Sequence, residues 1–174
     1  MIKLDRHYFI AIPVPLLELK QLSEAVNLGH YYQQVYGQED FHLTLHFLGG
    51  LTERELNEWQ CRLKEIAATV QPFTLTINHL VTFGNEDRPR VFAAGVEETT
   101  SLLRLANQLA PERHKPFVPH ITLAKRWNAD CEEPLPDMTL QAQINVTELI
   151  LYEIHPADRP RYRINTLARC GKEQ

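Results

Sequence analysis

Two segments of this 174-residue chain carry the same tetrapeptide, His-apolar-Thr-Leu, as His42-Leu43-Thr44-Leu45 and as His120-Ile121-Thr122-Leu123. Each copy lies in an apolar/polar alternation of period two, the pattern of a strand with one face in the core. Around the first copy Phe41, Leu43, Leu45 and Phe47 fall on one face and His42, Thr44 and His46 on the other. In the second, Ile121 and Leu123 oppose His120, Thr122 and Ala124. Any fold of this chain must therefore contain two similar strands, each offering an imidazole and a hydroxyl side by side from a core-anchored backbone. With 8 His, 12 Thr and 44% apolar residues, random order yields only roughly 0.1 tetrapeptides of the form His-apolar-Thr-apolar. One copy alone would read as a polar strand face turned to solvent; two copies facing each other would make an acid/base pair.

The segments between the copies suggest how they are carried. Tyr8 to Val14 is an apolar run between prolines and predicts a short buried strand. Leu16, Leu19, Leu22, Ser23 and Val26 form a helical stripe, with Pro15 suited to the first helical position and Gly29 ending the helix. The strand around His42 is expected to stop at Gly49-Gly50. Thr52-Glu53-Arg54-Glu55 is a capping box, and Leu56, Trp59, Leu63, Ile66, Ala67 and Val70 supply the buried stripe of the helix behind it. Phe73 to Phe83 and Val91 to Val96 read as an antiparallel strand pair. A helix is expected over 98–110, ended by Pro111, then a loop over 112–116 before the second copy. An acidic, proline-bearing loop over 128–137 precedes late strands at 140–152 and 162–168. This order predicts a single α+β domain over 1–174, in two lobes, each a mainly antiparallel sheet with outer helices. Periodicity does not decide whether the two histidine strands face one cleft.

Composition limits the partners. A net charge of −4 argues against holding long nucleic acid through many phosphates, which requires clustered cations, but leaves room for a small anionic substrate. Arg88, Arg90, Arg113, Lys115, Lys125, Arg126, Arg159, Arg161 and Arg163 lie in or beside expected loops, most of them as solvated surface. No apolar run reaches membrane-spanning length and the N-terminus lacks a secretory pattern, so the cytoplasm is the expected compartment. Cys61, Cys131 and Cys170 have no metal-site or disulfide spacing and are expected to be free thiols.

Imidazole titrates near pH ~6.5, so of two rings one can accept a proton while the other donates one. That inventory suits phosphodiester cleavage. One His activates the attacking hydroxyl or water, the other protonates the leaving oxygen, and Thr44 and Thr122 hydrogen-bond the non-bridging oxygens. No metal is required. Glu39 and Asp40 precede the first motif and no carboxylate follows until Glu53, while His42 and His46 on one strand would lie ~13 Å apart. His46, His79 and His114 read as surface or satisfied histidines.

The residues around these motifs make the chain resemble the 2H phosphoesterase superfamily, in particular its bacterial RNA 2′,3′-cyclic phosphodiesterases, historically called 2′-5′ RNA ligases. Phe9-Ile10-Ala11-Ile12-Pro13-Val14-Pro15 resembles the family's opening strand. Phe41 to Gly49 and Pro119 to Ala124 resemble its two active-site strands, and Leu149-Ile150-Leu151-Tyr152 a later one. The resemblance implies a pseudo-symmetric, two-lobed fold with His42, Thr44, His120 and Thr122 converging on a substrate phosphate in a groove between the lobes. It implies a cofactor-free hydrolase that opens 2′,3′-cyclic phosphates on RNA ends or small nucleotides to 2′-phosphates, with no membrane association and no obligate protein partner. His120 would be the base and His42 the acid, although a near-symmetric dyad runs in either order. Ligation of RNA halves through a 2′-5′ bond, or a non-catalytic nucleotide- or RNA-binding role, are the alternatives.

Two departures stand out. Lys125 occupies a position where the family usually has Arg, and Arg126 follows it. Strict alternation would turn Arg126 toward the face of His120 unless the strand bulges, so both are candidate substrate-binding residues. Ile154 stands where a serine is often found.

Overall fold

A computed structural model describes residues 2–171. The apolar run near the N-terminus forms the middle of β1 (Lys3–Pro13), where Tyr8 to Ile12 are all buried. Such a continuous run needs cover on both faces, and β1 has it. Tyr8, Ile10 and Ile12 enter the main core, while Phe9 and Ala11 join Ile150 and Tyr152 in a smaller cluster on the opposite face.

Helix α1 (Leu17–Val26) follows, starting after Leu16 rather than at Pro15. It ends earlier than Gly29 because Asn27 takes the left-handed conformation at φ 58°, a cap Asn tolerates almost as well as Gly. Gly29 instead lies inside the short α2 (Leu28–Tyr31), which runs straight into β2 (Tyr32–Val35), a strand with no clear periodic signal. A 3₁₀ turn at Gln38–Asp40 leads into β3 (His42–Thr52). Gly49-Gly50 does not stop this strand: Gly49, at φ 70°, accommodates an irregularity opposite Tyr8 and pairing continues to Thr52.

The capping box forms as its sequence requires. The Thr52 hydroxyl accepts from Glu55 N–H at 3.2 Å and the Glu55 carboxylate accepts from Thr52 N–H at 2.8 Å, opening α3 (Glu53–Thr69). A cap of this kind is worth about 1 kcal/mol. Then come β4 (Phe73–Gly84), β5 (Pro89–Val96), α4 (Thr100–Leu109) and β6 (His120–Trp127). Helix α4 buries Leu102, Leu105, Ala106 and Leu109, each of its leucines contributing roughly 1.5–3 kcal/mol relative to exposure. The late strand expected over 140–152 is two strands, β7 (Ala142–Val146) and β8 (Glu148–Ile154), followed by β9 (Tyr162–Arg169).

Among the described residues these strands form one antiparallel sheet in the order β7-β4-β5-β6-β3-β1-β8-β9, with β2 added to β6. Strands β7 and β8 are separated only by Thr147 yet sit far apart in that order. The sheet must therefore curl on itself. The α+β expectation of mainly antiparallel strands with helices holds, and the two halves are joined in one sheet over one main core. They meet where β3 pairs with β6, at the single register pair Leu43↔Ile121. Among the described residues no helix is long and apolar enough to cross a membrane, and Cys61, Cys131 and Cys170 are free thiols.

Candidate active site

Leu43 and Ile121 are the middle residues of the two His-x-Thr motifs, so their pairing decides the site geometry. Extending this antiparallel register by one residue each way sets His42 opposite Thr122 and Thr44 opposite His120. Both central residues are fully buried, and both His/Thr pairs therefore project from the other face into one pocket of about 240 Å³. The two rings are held alike. His42 Nδ1 lies 2.8 Å from the Asp40 carbonyl and His120 Nδ1 lies 2.6 Å from the Val118 carbonyl, each two residues upstream. A carbonyl can only accept, so each Nδ1 carries the proton and each neutral ring leaves Nε2 as its free base. The Thr44 hydroxyl, 3.0 Å from His42 Nε2, is placed to donate to it.

A bulge follows each motif. In β3, Thr44 and His46 pair with the adjacent residues Ala11 and Ile10, which skips Leu45. In β6, Thr122 and Ala124 pair with Ala93 and Phe92, which skips Leu123. Each extra residue reverses the alternation beyond it. The side chain five positions after each His thus turns into the pocket: Phe47 in one strand, Lys125 in the other. The bulged carbonyls are satisfied, Leu45 O by the Arg113 guanidinium and Leu123 O by Tyr36 N–H at 2.9 Å. These bulges separate the two cation candidates. Lys125 lines the pocket; Arg126 is exposed, adopts φ 63° and does not line it, contrary to strict alternation. Phe47, expected in the core, is 58% exposed. His46 lines the neighbouring groove beside Trp59 and not the His/Thr pocket. Ile154 does reach the pocket but brings no hydrogen-bonding group.

The wall behind His42 is aromatic. Phe9 lies 4.7 Å from its ring centroid, Tyr162 lies edge-on at 4.9 Å and Tyr152 at 6.0 Å. Burial among these rings pushes the His42 pKa down to about 4, with smaller contributions from the charges of Lys125 and His120, against the opposing Asp40 carbonyl. Tyr162 is held there by Asp40. This buried carboxylate accepts from Arg161 N–H at 3.0 Å and Tyr162 N–H at 3.4 Å. Burial raises its pKa, and the two backbone donors oppose the rise. Asp40 thus secures His42 through its carbonyl and closes the pocket through its side chain. Tyr36 completes the rim, with Lys125 Nζ 5.9 Å and the Arg161 guanidinium 5.5 Å from its ring centroid. Sequence reasoning missed Asp40, Tyr36, Phe47 and Tyr162 as site residues. The only local cue was the place of Asp40 two residues before the first His.

Residues 11–93 match the family described as LigT like Phosphoesterase. An RNA 2′,3′-cyclic phosphodiesterase of Thermotoga maritima is 33% identical over 129 residues, spanning 67% of this chain and 68% of the relative. The chain belongs to the LigT-like phosphoesterase family. A second family member, an RNA 2′,3′-cyclic phosphodiesterase of Geobacillus stearothermophilus, is 30% identical over 172 residues. That alignment spans 90% of this chain but 54% of the relative, so the chain corresponds to about half of that protein's length. The LigT-like fold extends over nearly the whole chain. The crystal structure of E. coli LigT complexed with 3′-AMP superposes with a TM-score of 0.74 at 25% identity, covering 96% of this chain and 99% of that one.

Proposed function

We propose that this chain hydrolyses 2′,3′-cyclic phosphates on RNA ends or nucleotides, leaving a 2′-phosphate, with His42 and His120 as the proton-transfer pair. The observation that carries the reading is the Leu43↔Ile121 pairing, which brings two imidazoles and two hydroxyls to one pocket in opposed order. The names of the relatives and the 3′-AMP in LigT support a nucleotide phosphate as occupant. Cytoplasmic RNA ends would be the natural pool.

In this scheme one Nε2 takes a proton from water as its oxygen bonds to phosphorus, and the other imidazolium gives its proton to O3′ as the P–O3′ bond breaks. Thr44 and Thr122 hydroxyls donate to the non-bridging oxygens, and Lys125 offsets their charge as a point cation without the bidentate fork of Arg. With His120 as base and His42 as acid, the ring with the depressed pKa must recover its proton in the complex. The anionic phosphate beside Nε2 provides the stabilising charge for that. The same depression favours a second reading with the roles exchanged, since His42 is neutral at pH 7 before substrate arrives.

The test is hydrolysis of a nucleoside 2′,3′-cyclic phosphate in EDTA by wild type, His42→Ala and His120→Ala, each variant losing ~10²–10⁴-fold. Undiminished turnover in both would exclude the dyad. A substrate with sulfur in place of O3′ needs no acid, because thiolate leaves readily; rescue of His42→Ala, and not of His120→Ala, would identify His42 as the acid. The opposite rescue would establish the exchanged order.

A further inference from the structure

A second groove, of about 930 Å³, adjoins the His/Thr pocket between α3 and the segment joining α4 to β6, and Phe47 lines both. The 240 Å³ pocket falls below the usual 300–1,000 Å³ of sites that enclose a drug-sized ligand. It suits a terminal cyclic phosphate and its sugar, and leaves whatever precedes them to lie outside.

The chemistry of the neighbouring groove is aromatic and cationic. Trp59 stands on α3 with the Arg62 guanidinium 4.8 Å from its ring, while Arg113, His114 and Lys115 form the facing wall. Among the described residues Glu112 is the sole carboxylate of the lining, so this surface carries a cation excess on a chain whose net charge is −4. The His46 ring, 5.3 Å from Trp59, registers that field: burial lowers its pKa first, and the charges of Arg113 and Arg62 lower it further. Arg113 uses Nη2 on the Leu45 carbonyl, but its buried Nε donor has no partner among the described residues.

We propose that this groove holds the RNA strand immediately 5′ of the cyclic-phosphate end. Phe47, exposed between the two cavities, stacks a base next to the reacting nucleotide; Trp59 with Arg62 forms a further platform, and Arg62, His114 and Lys115 face the phosphates. Aromatic rings interleaved with cations are the means by which single strands are bound without sequence readout. Continuity through Phe47 is what makes the occupant part of the same substrate rather than a separate ligand. The inference rests on the cyclic-phosphate reading and extends it from the terminal phosphate to the place where the preceding strand lies.

The experiment compares kcat/KM for a nucleoside 2′,3′-cyclic phosphate and for a short oligoribonucleotide ending in the same group, in wild type and in Arg62→Glu/Lys115→Glu. Both positions are exposed on the folded chain. The wild type is expected to favour the oligonucleotide, and the double variant to lower the oligonucleotide-to-mononucleotide ratio by roughly tenfold, with the wild-type preference weakening as salt rises. An equal ratio in both proteins would overturn the proposal. Anisotropy of a 5′-labelled oligoribonucleotide supplies a readout independent of turnover. Binding weakened by the double variant in a protein that cleaves neither substrate would support the groove and reject the cyclic-phosphate reading, whereas unchanged binding would reject the groove.

Discussion

The stability of this protein in mild acid is expected to be governed in large part by His42. An unfolded chain protonates this ring near pH ~6.5, whereas its enclosure by Phe9, Tyr152 and Tyr162 lowers the folded pKa to about 4. Between those values the unfolded state binds a proton that the folded state refuses, so stability present above pH ~6.5 is lost as pH falls toward 4. The full difference corresponds to about 3 kcal/mol, most of it lost by pH 4.5. His42→Gln removes the titration while keeping a polar side chain of similar size. Urea unfolding of both proteins at pH 7.5, 6, 5 and 4.5, followed by tryptophan fluorescence, isolates this ring because every other group titrates in both. The wild-type stability relative to the variant should fall by about 2–3 kcal/mol across the series. A difference constant within about 0.5 kcal/mol would refute the claim that the fold buries His42 as a neutral base.

Two further outcomes follow from the same geometry. Lys125→Met should lower kcat/KM for a cyclic phosphate roughly tenfold to a hundredfold, the loss of a charged hydrogen bond. Arg126→Met should change it by less than about threefold, as expected of a side chain outside the pocket; equal losses would contradict the bulge at Leu123. Asp40→Ala frees the backbone N–H groups of Arg161 and Tyr162, loosening Tyr162 over His42. An NMR titration should then find the His42 pKa moving up from about 4 toward the ordinary imidazole value, and an unmoved titration would argue that Asp40 does not hold the aromatic wall.

Local patterns were legible wherever one residue's neighbours in sequence are also its neighbours in space. The capping box at Thr52 formed with both hydrogen bonds, and Leu43, Leu45, Ile121 and Leu123 are fully buried as their alternation required. Helix ends were less legible: Asn27 caps α1 where Gly29 was expected, because either residue accepts positive φ. Strand β2 escaped notice because Tyr32 to Val35 gains its order from pairing with β6, far along the chain. Asp40 escaped as well. Its partners, Arg161 and Tyr162, lie more than 100 residues away, and a carboxylate before a strand looks solvated until those backbone donors arrive.

By itself the sequence determined that two strands each carry a His and a Thr on one face, because side-chain direction in a strand alternates with the backbone and needs no partner. Tertiary structure alone decided what those faces meet. The Leu43↔Ile121 register put the two motifs in one pocket, and the bulges at Leu45 and Leu123 then chose Phe47 and Lys125, not Arg126, as their neighbours. Pairing register and bulges are properties of two strands together. A period of two in either strand continues through a bulge on paper, while in space the extra residue reverses every side chain beyond it.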